Sequence, residues 1–195
     1  YEMVPAEFGE YRLLVMTTNK KRELTDSKYN ERRAESEEAL ALLQENVDVE
    51  TLGDLTVPQF EAAAADFEKD HALVMKRARH AVSENQRTIA AKAALQAHDL
   101  VQFGELLTAS HASLRDDFEV SGIELDTLVE TALRQPGVLG ARMTGAGFGG
   151  SAIALVEKDQ VPAVTTAVGD VYTAEIGYQP AFFVAEIVAG THEIA

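Results

Sequence analysis

The run at residues 140–150, Gly-Ala-Arg-Met-Thr-Gly-Ala-Gly-Phe-Gly-Gly, holds five of the chain's thirteen glycines. Residues 138–144 and 151–156 around it are rich in strand-forming apolar side chains, so the glycines form a strand–loop–strand connection. A two-residue hairpin turn needs one or two glycines. The surplus here suits backbone that must approach a ligand or another segment closely and adopt positive φ. Successive amides in such a loop can also form an anion-binding concavity. An ordinary structural turn is the plainer reading. Gly145, Gly147 and Gly150 satisfy G-x-G-x-x-G, but dinucleotide-binding folds need a helix directly after the glycines, and residues 151–156 read as a strand. A P-loop needs Gly-Lys-Ser or Gly-Lys-Thr, which is missing. A protein-kinase glycine loop needs a later His-Arg-Asp and Asp-Phe-Gly, and the 45 residues that follow contain neither.

The 195 residues, 46% of them hydrophobic, suffice for a single domain or one large lobe with its own core. With 17 basic and 32 acidic residues the net charge is −15, so the long-range field repels polyphosphate backbones and acidic membranes. Neither nucleic acid nor membrane is expected as a partner. No window reaches the roughly 18 uninterrupted apolar residues of a membrane span. The absence of cysteine excludes disulfides and thiolate metal sites and fits a cytoplasmic location. The first residue is Tyr1 rather than methionine, which suggests a processed chain or a piece of a longer one.

Taken in order, residues 11–18 predict a buried strand. Asp26 or Ser27 can cap a helix running to about Asn46. Lys28, Arg32 and Arg33 stand in its first turns, where the helix dipole disfavours cations; either they meet carboxylates such as Glu35 or Glu37, or they form a basic edge facing an anion. A loop or short helical turn spans 51–57 and closes at Pro58. Helices follow over 59–67 and about 70–96. In the longer one Val74, Ala78, Ala81, Asn85 and Ile89 form an apolar stripe that Asn85 interrupts. Asp99 can cap a further helix faced by Leu100, Phe103, Leu107, Ser110, Leu114 and Phe118. Ser121-Gly122-Ile123-Glu124 has the form of a capping box. Asp159 is a candidate cap for a helix that Gly177 ends, and 181–188 is the last strand. The resulting order, β-α-β-β-α-β with helices inserted in the first crossover, is the split pattern of an α+β, ferredoxin-like, four-stranded antiparallel sheet.

His80 and Glu84, four apart on one helix, could ligate a metal, but no third ligand has suitable spacing. A buried hydrogen-bond network is the alternative. His111 reads as a satisfied helix histidine, and Asp116-Asp117 as an exposed helix end. No Ser/His/Asp nucleophile set can be assembled. Tyr29 is either a core aromatic or the rim of a site.

Several segments together closely resemble the C-terminal half of the galactokinase family, within the small-molecule kinases called GHMP kinases. They are Thr18-Asn19, the run 26–33 (Asp-Ser-Lys-Tyr-Asn-Glu-Arg-Arg), the run 77–87 (Arg-Ala-Arg-His-Ala-Val-Ser-Glu-Asn-Gln-Arg), the run 110–117 (Ser-His-Ala-Ser-Leu-Arg-Asp-Asp), Glu119-Val120-Ser121 and Glu124-Leu125-Asp126. Residues 140–150 look like the family's third signature motif. The resemblance runs from about Tyr11 to the end, and implies one GHMP-type C-terminal domain over 1–195.

That resemblance implies transfer of the ATP γ-phosphoryl group to the 1-hydroxyl of galactose, by positioning and charge stabilisation. It implies that Tyr29 contacts the sugar and that Gly145, Ala146, Gly147, Phe148, Gly149 and Gly150 form an active-site loop, with Thr144 and Ser151 at its edges. Arg142 is read as structural. The family's sugar signature, catalytic aspartate and Ser/Gly-rich phosphate loop belong to an N-terminal lobe, and none of them occurs here. Accordingly no catalytic residue and no metal ligand is expected in this chain, ATP and Mg2+ are held mainly by the other lobe, and the isolated chain is expected to be inactive. The surface that meets that lobe is expected to be partly apolar and prone to self-association. Two other outcomes stay open: a non-catalytic sugar or ATP sensor that kept the fold, or a GHMP kinase for another small molecule.

Overall fold

The structure, a computed structural model, describes residues 6–21 and 26–187 together with Glu2 and Val4. Strand β1 (Tyr11–Thr17) leads into helices α1 (Asp26–Leu43), α2 (Val57–Ala64), α3 (Ala72–Gln96), α4 (Leu100–Asp116) and α5 (Ile123–Leu133). Strands β2 (Val138–Thr144) and β3 (Ser151–Glu157), helix α6 (Val161–Ile176) and strand β4 (Ala181–Ala185) complete it. The sheet order is β2-β3-β1-β4, with every neighbouring pair antiparallel. This is the expected α+β arrangement, with α1 to α4 filling the first crossover before α5.

Two apolar cores result. Leu14, Met16, Met143, Ala152, Ala154 and Val156 alternate along three strands and pack one sheet face against α5 and α6. Ala39, Leu43, Phe60, Met75, Ala78 and Val82 close the second core between α1, α2 and α3. Helix α4 joins the two. Its Gly104 lies so close to β2 that a Cβ there would sit 2.6 Å from the Leu139 carbonyl carbon. A Cβ on Gly140 would sit 2.6 Å from Gly104 Cα. The pair lets helix and strand backbones touch, which brings the end of α4 over the β2–β3 loop.

Several local expectations change. Strand β1 buries only Leu14 and Met16; its other face is half-open. Along that opposite face burial fades from the fully buried Leu155 to Phe183, 60% exposed on the β4 edge. Helix α2 begins at Val57, so Pro58 stands in its first turn rather than closing the preceding loop. Its start is a capping box that the sequence reading passed over, with the Thr56 N–H donating to Gln59 Oε1 at 2.9 Å. The box expected at Ser121 does not form: Gly122, at φ 143°, is the N-cap and makes no side-chain capping bond. Asp159 does not cap α6 either, because Lys158–Gln160 forms a 3-10 turn feeding into it. Asp99 does cap α4, accepting the Gln102 N–H at 3.0 Å. Ile89 is exposed, so the α3 stripe ends early, and Asn85 Nδ2 donates to the Gly53 carbonyl at 2.8 Å. Val188 and the capping side chains of Asp26 and Ser27 lie outside the described residues.

Candidate functional site

The β2–β3 connection departs from a hairpin turn because it is tied at both ends to distant segments. Gly145, Gly147, Phe148, Gly149 and Gly150 all have positive φ. At one end the Gly150 carbonyl accepts from the Thr18 N–H at 2.9 Å and from Thr18 Oγ1 at 3.0 Å. Thr18 is itself fully buried, and the Tyr172 hydroxyl of α6 donates to its carbonyl at 2.7 Å. Beside it, Thr17 Oγ1 and Ser151 Oγ lie 3.0 Å apart. At the other end the Phe148 N–H donates to the Val120 carbonyl at 2.7 Å. A Cβ on Gly147 would stand 2.9 Å from the Val120 carbonyl carbon and closer still to its oxygen. Close backbone approach therefore accounts for Gly147, while Gly145, Gly149 and Gly150 serve positive φ.

Across from this loop stands the first turn of α1. Tyr29 is 57% exposed, which removes the core-aromatic alternative. It lines a pocket of about 540 Å³ together with Arg32, Leu40, Phe118, Val120 and the 145–148 part of the loop. The Lys28 ammonium lies 5.3 Å from the centre of the Phe148 ring, a cation–π contact from α1 to the loop. The loop's outer side carries Lys20, Lys21, Thr144 and Ser151 around a hollow of about 370 Å³.

Beneath the pocket lies a buried polar cluster. Arg77 of α3, only 1% exposed, donates from Nε to Glu35 Oε2 of α1 at 2.7 Å. Its Nη1 donates to the Asp117 carbonyl at 2.5 Å and its Nη2 to Glu119 Oε2 at 2.8 Å. Burial opposes the charge on Arg77, but the two carboxylates outweigh it and hold its pKa above the ordinary value. Arg32 Nη1 donates to both Glu31 and Glu35, and Arg33 pairs with Glu37, so these two cations of α1 meet carboxylates.

His80 and Glu84 join hydrogen-bond networks. His80 Nδ1 lies 3.0 Å from Ser113 Oγ, which donates to Asp117 Oδ2 at 2.8 Å, and the imidazole stacks on Phe118 with centroids 4.6 Å apart. Burial pushes the His80 pKa down to about 4. Glu84 accepts from Ser110 Oγ, from Arg87 Nε and from Arg142 Nη1 at 2.5, 2.7 and 3.1 Å. Burial raises its pKa, but these donors outweigh that and leave it below the usual carboxylate value. Arg142 thus ties β2 to α3, the structural role expected of it. His111, also buried, accepts the Met143 N–H at Nδ1 (3.3 Å) and faces Asp126 with Nε2. Asp117 is a network member rather than a free helix end. Among the described residues no group of three His, Asp or Glu side chains is placed to hold a metal ion.

The structure thus brings Tyr29 and the loop together and leaves Thr144 and Ser151 on the far side of it. The sequence reading missed the parts played by Thr18, Val120 and Arg77. A charged residue between Val74 and Ala78 on a buried helix face was the available signal for Arg77; its partners, at positions 35, 117 and 119, carry no local mark.

Residues 91–174 match the family described as GHMP kinases C terminal. The chain is 58% identical over 194 residues to a galactokinase of Lactiplantibacillus plantarum and to one of Enterococcus faecalis, in each case across all of this chain and 50% of the relative. It spans about half the length of these curated relatives. A solved Lactococcus lactis galactokinase, complexed with galactose, superposes with a TM-score of 0.94 at 56% identity, over 100% of this chain and 50% of that one. A mevalonate kinase of L. major, at 24% identity and a TM-score of 0.50 over 84% of this chain and 40% of that one, shares the fold. Residues 91–174 thus match the GHMP kinase C-terminal family, and the chain is similar along its whole length to galactokinases.

Proposed function

We propose that this chain is the second lobe of a kinase that transfers the γ-phosphoryl group of ATP to the 1-hydroxyl of galactose in the cytoplasm. The observation that carries the reading is the pocket shared by Tyr29 and the 145–148 loop, in a chain similar throughout to galactokinases. Tyr29, exposed at the start of α1, offers an aromatic face and a hydroxyl to a sugar. The loop of Gly145, Ala146, Gly147, Phe148, Gly149 and Gly150 abuts the phosphate loop of the other lobe and shapes the cleft from this side. Phosphoryl transfer depends on positioning and charge stabilisation, and this lobe contributes positioning. The catalytic aspartate, the main phosphate cradle and the magnesium ligands belong to the other lobe, so ATP and Mg2+ bind mainly there.

In the full-length protein, Tyr29→Ala is expected to weaken galactose binding about tenfold or more, read by isothermal titration. Unchanged affinity removes Tyr29 from the site. The chain alone is expected to show no ATP-dependent phosphorylation of galactose, and measurable turnover would refute the division of labour between lobes. The open sheet edge with Phe183, Val184 and Ile187 exposed supports self-association of the isolated chain. Light scattering across a concentration series checks this, and a monomer throughout would contradict it.

A further inference from the structure

We infer that Arg77 is the positioning residue that sets the distance between Tyr29 and the glycine loop; the inference rests on the proposed sugar-kinase reading of their shared pocket. Arg77 does not line that pocket. It lies beneath it and holds both walls at once.

One wall is α1. Glu35 stands on the same helix as Tyr29, and its Oε2 accepts from Arg77 Nε at 2.7 Å and from Arg32 Nη1 at 2.8 Å. The other wall is the corner after α4. There Arg77 donates to the Asp117 carbonyl and the Glu119 carboxylate. One residue further, the Val120 carbonyl accepts the Phe148 N–H and so fixes the loop. Besides the Lys28–Phe148 contact, the hydrogen-bonded path from α1 to the loop thus runs through one guanidinium with three acceptors on two elements. The planar fork of arginine can serve three fixed acceptors together, which a lysine ammonium on a shorter stem cannot reproduce.

Backbone conformation supports the same assignment. Glu119 and Phe148 are non-glycine residues at φ 54° and 57°. Such residues persist where their surroundings over-determine them. Glu119 is held by Arg77, and Phe148 by Val120 and the Lys28 ammonium above its ring. Without the guanidinium the corner can relax, and the loop moves with Val120.

The test uses the full-length protein with Arg77→Lys, Tyr29→Ala, the double variant and Phe60→Leu, which loosens the helical core away from the pocket. Thermal midpoints, kcat and galactose KM are measured for each. Arg77→Lys is expected to raise galactose KM about tenfold and lower kcat, while Phe60→Leu leaves KM within about twofold. In the Tyr29→Ala background, Arg77→Lys is expected to change KM by less than about twofold, because both act through one contact. An Arg77→Lys KM equal to that of Phe60→Leu, or full additivity in the cycle, overturns the inference. If Arg77→Lys does not fold, Glu119→Gln decides: a KM raised about threefold supports the inference and an unchanged KM overturns it. Should Tyr29→Ala leave KM unchanged, the pocket reading falls and the inference with it. Should Tyr29→Ala raise KM while Arg77→Lys does not, the inference alone falls.

Discussion

Replacing Gly147 by alanine separates the two reasons a loop can need glycine. Gly147 has φ 86°, and an added Cβ would lie 2.9 Å from the Val120 carbonyl carbon and 3.0 Å from Val120 Cβ. Gly145 has nearly the same φ, 81°, but a Cβ there meets nothing within 4 Å. Gly145→Ala therefore incurs only the left-handed backbone penalty, about 1–2 kcal/mol. Gly147→Ala incurs that penalty and also a steric clash of about 1–3 kcal/mol. If the loop swings out to relieve the clash, it gives up the Phe148–Val120 hydrogen bond, worth about 1 kcal/mol. Gly147→Ala should thus cost about 2 kcal/mol more than Gly145→Ala, lowering the thermal midpoint by a further ~4–8 °C in a chain of this size. The chain has no tryptophan, so urea and thermal denaturation are best followed by far-ultraviolet circular dichroism. Equal losses for the two variants, within about 0.5 kcal/mol, would refute the close-approach argument.

Two further outcomes follow from the networks and the helix–strand contact. His80 is neutral in the fold because burial lowers its pKa to about 4 from the ordinary 6.5, so the unfolded chain binds the extra proton first. Its contribution is complete above pH 6.5 and is lost as pH falls toward 4, by at most about 3 kcal/mol. Urea midpoints from pH 7.5 to 4.5 should decline more steeply in the native chain than in His80→Gln, and parallel curves would contradict this. Gly140→Ala should cost more than about 3 kcal/mol, because its Cβ would be driven into the Gly104 backbone and separate α4 from β2. Soluble yield and circular dichroism check it, and a folded variant of native stability would falsify the contact.

Strand alternation and helical periodicity were enough to predict the order of elements, because each depends on neighbours two to four residues away. The same local logic identified the Asp99 cap and the strand–loop–strand setting of the glycines. It failed where equivalent local options compete: Thr56 rather than Ser121 carries a capping box, and a 3-10 turn displaces Asp159 from the start of α6. The residues around Tyr29 left it open as a core aromatic or the rim of a site, and which of the two holds depended on where α1 lies against the loop.

The sequence by itself determined the secondary elements, the split sheet and the need for an unusual connection at residues 145–150. Only the tertiary structure decided what that connection is held against. The Gly150 carbonyl meets Thr18, 132 residues away, and Arg77 meets Glu35, 42 residues away. Such pairings leave no periodic trace, because a hydrogen bond depends on where chain segments converge and not on the spacing along any one of them.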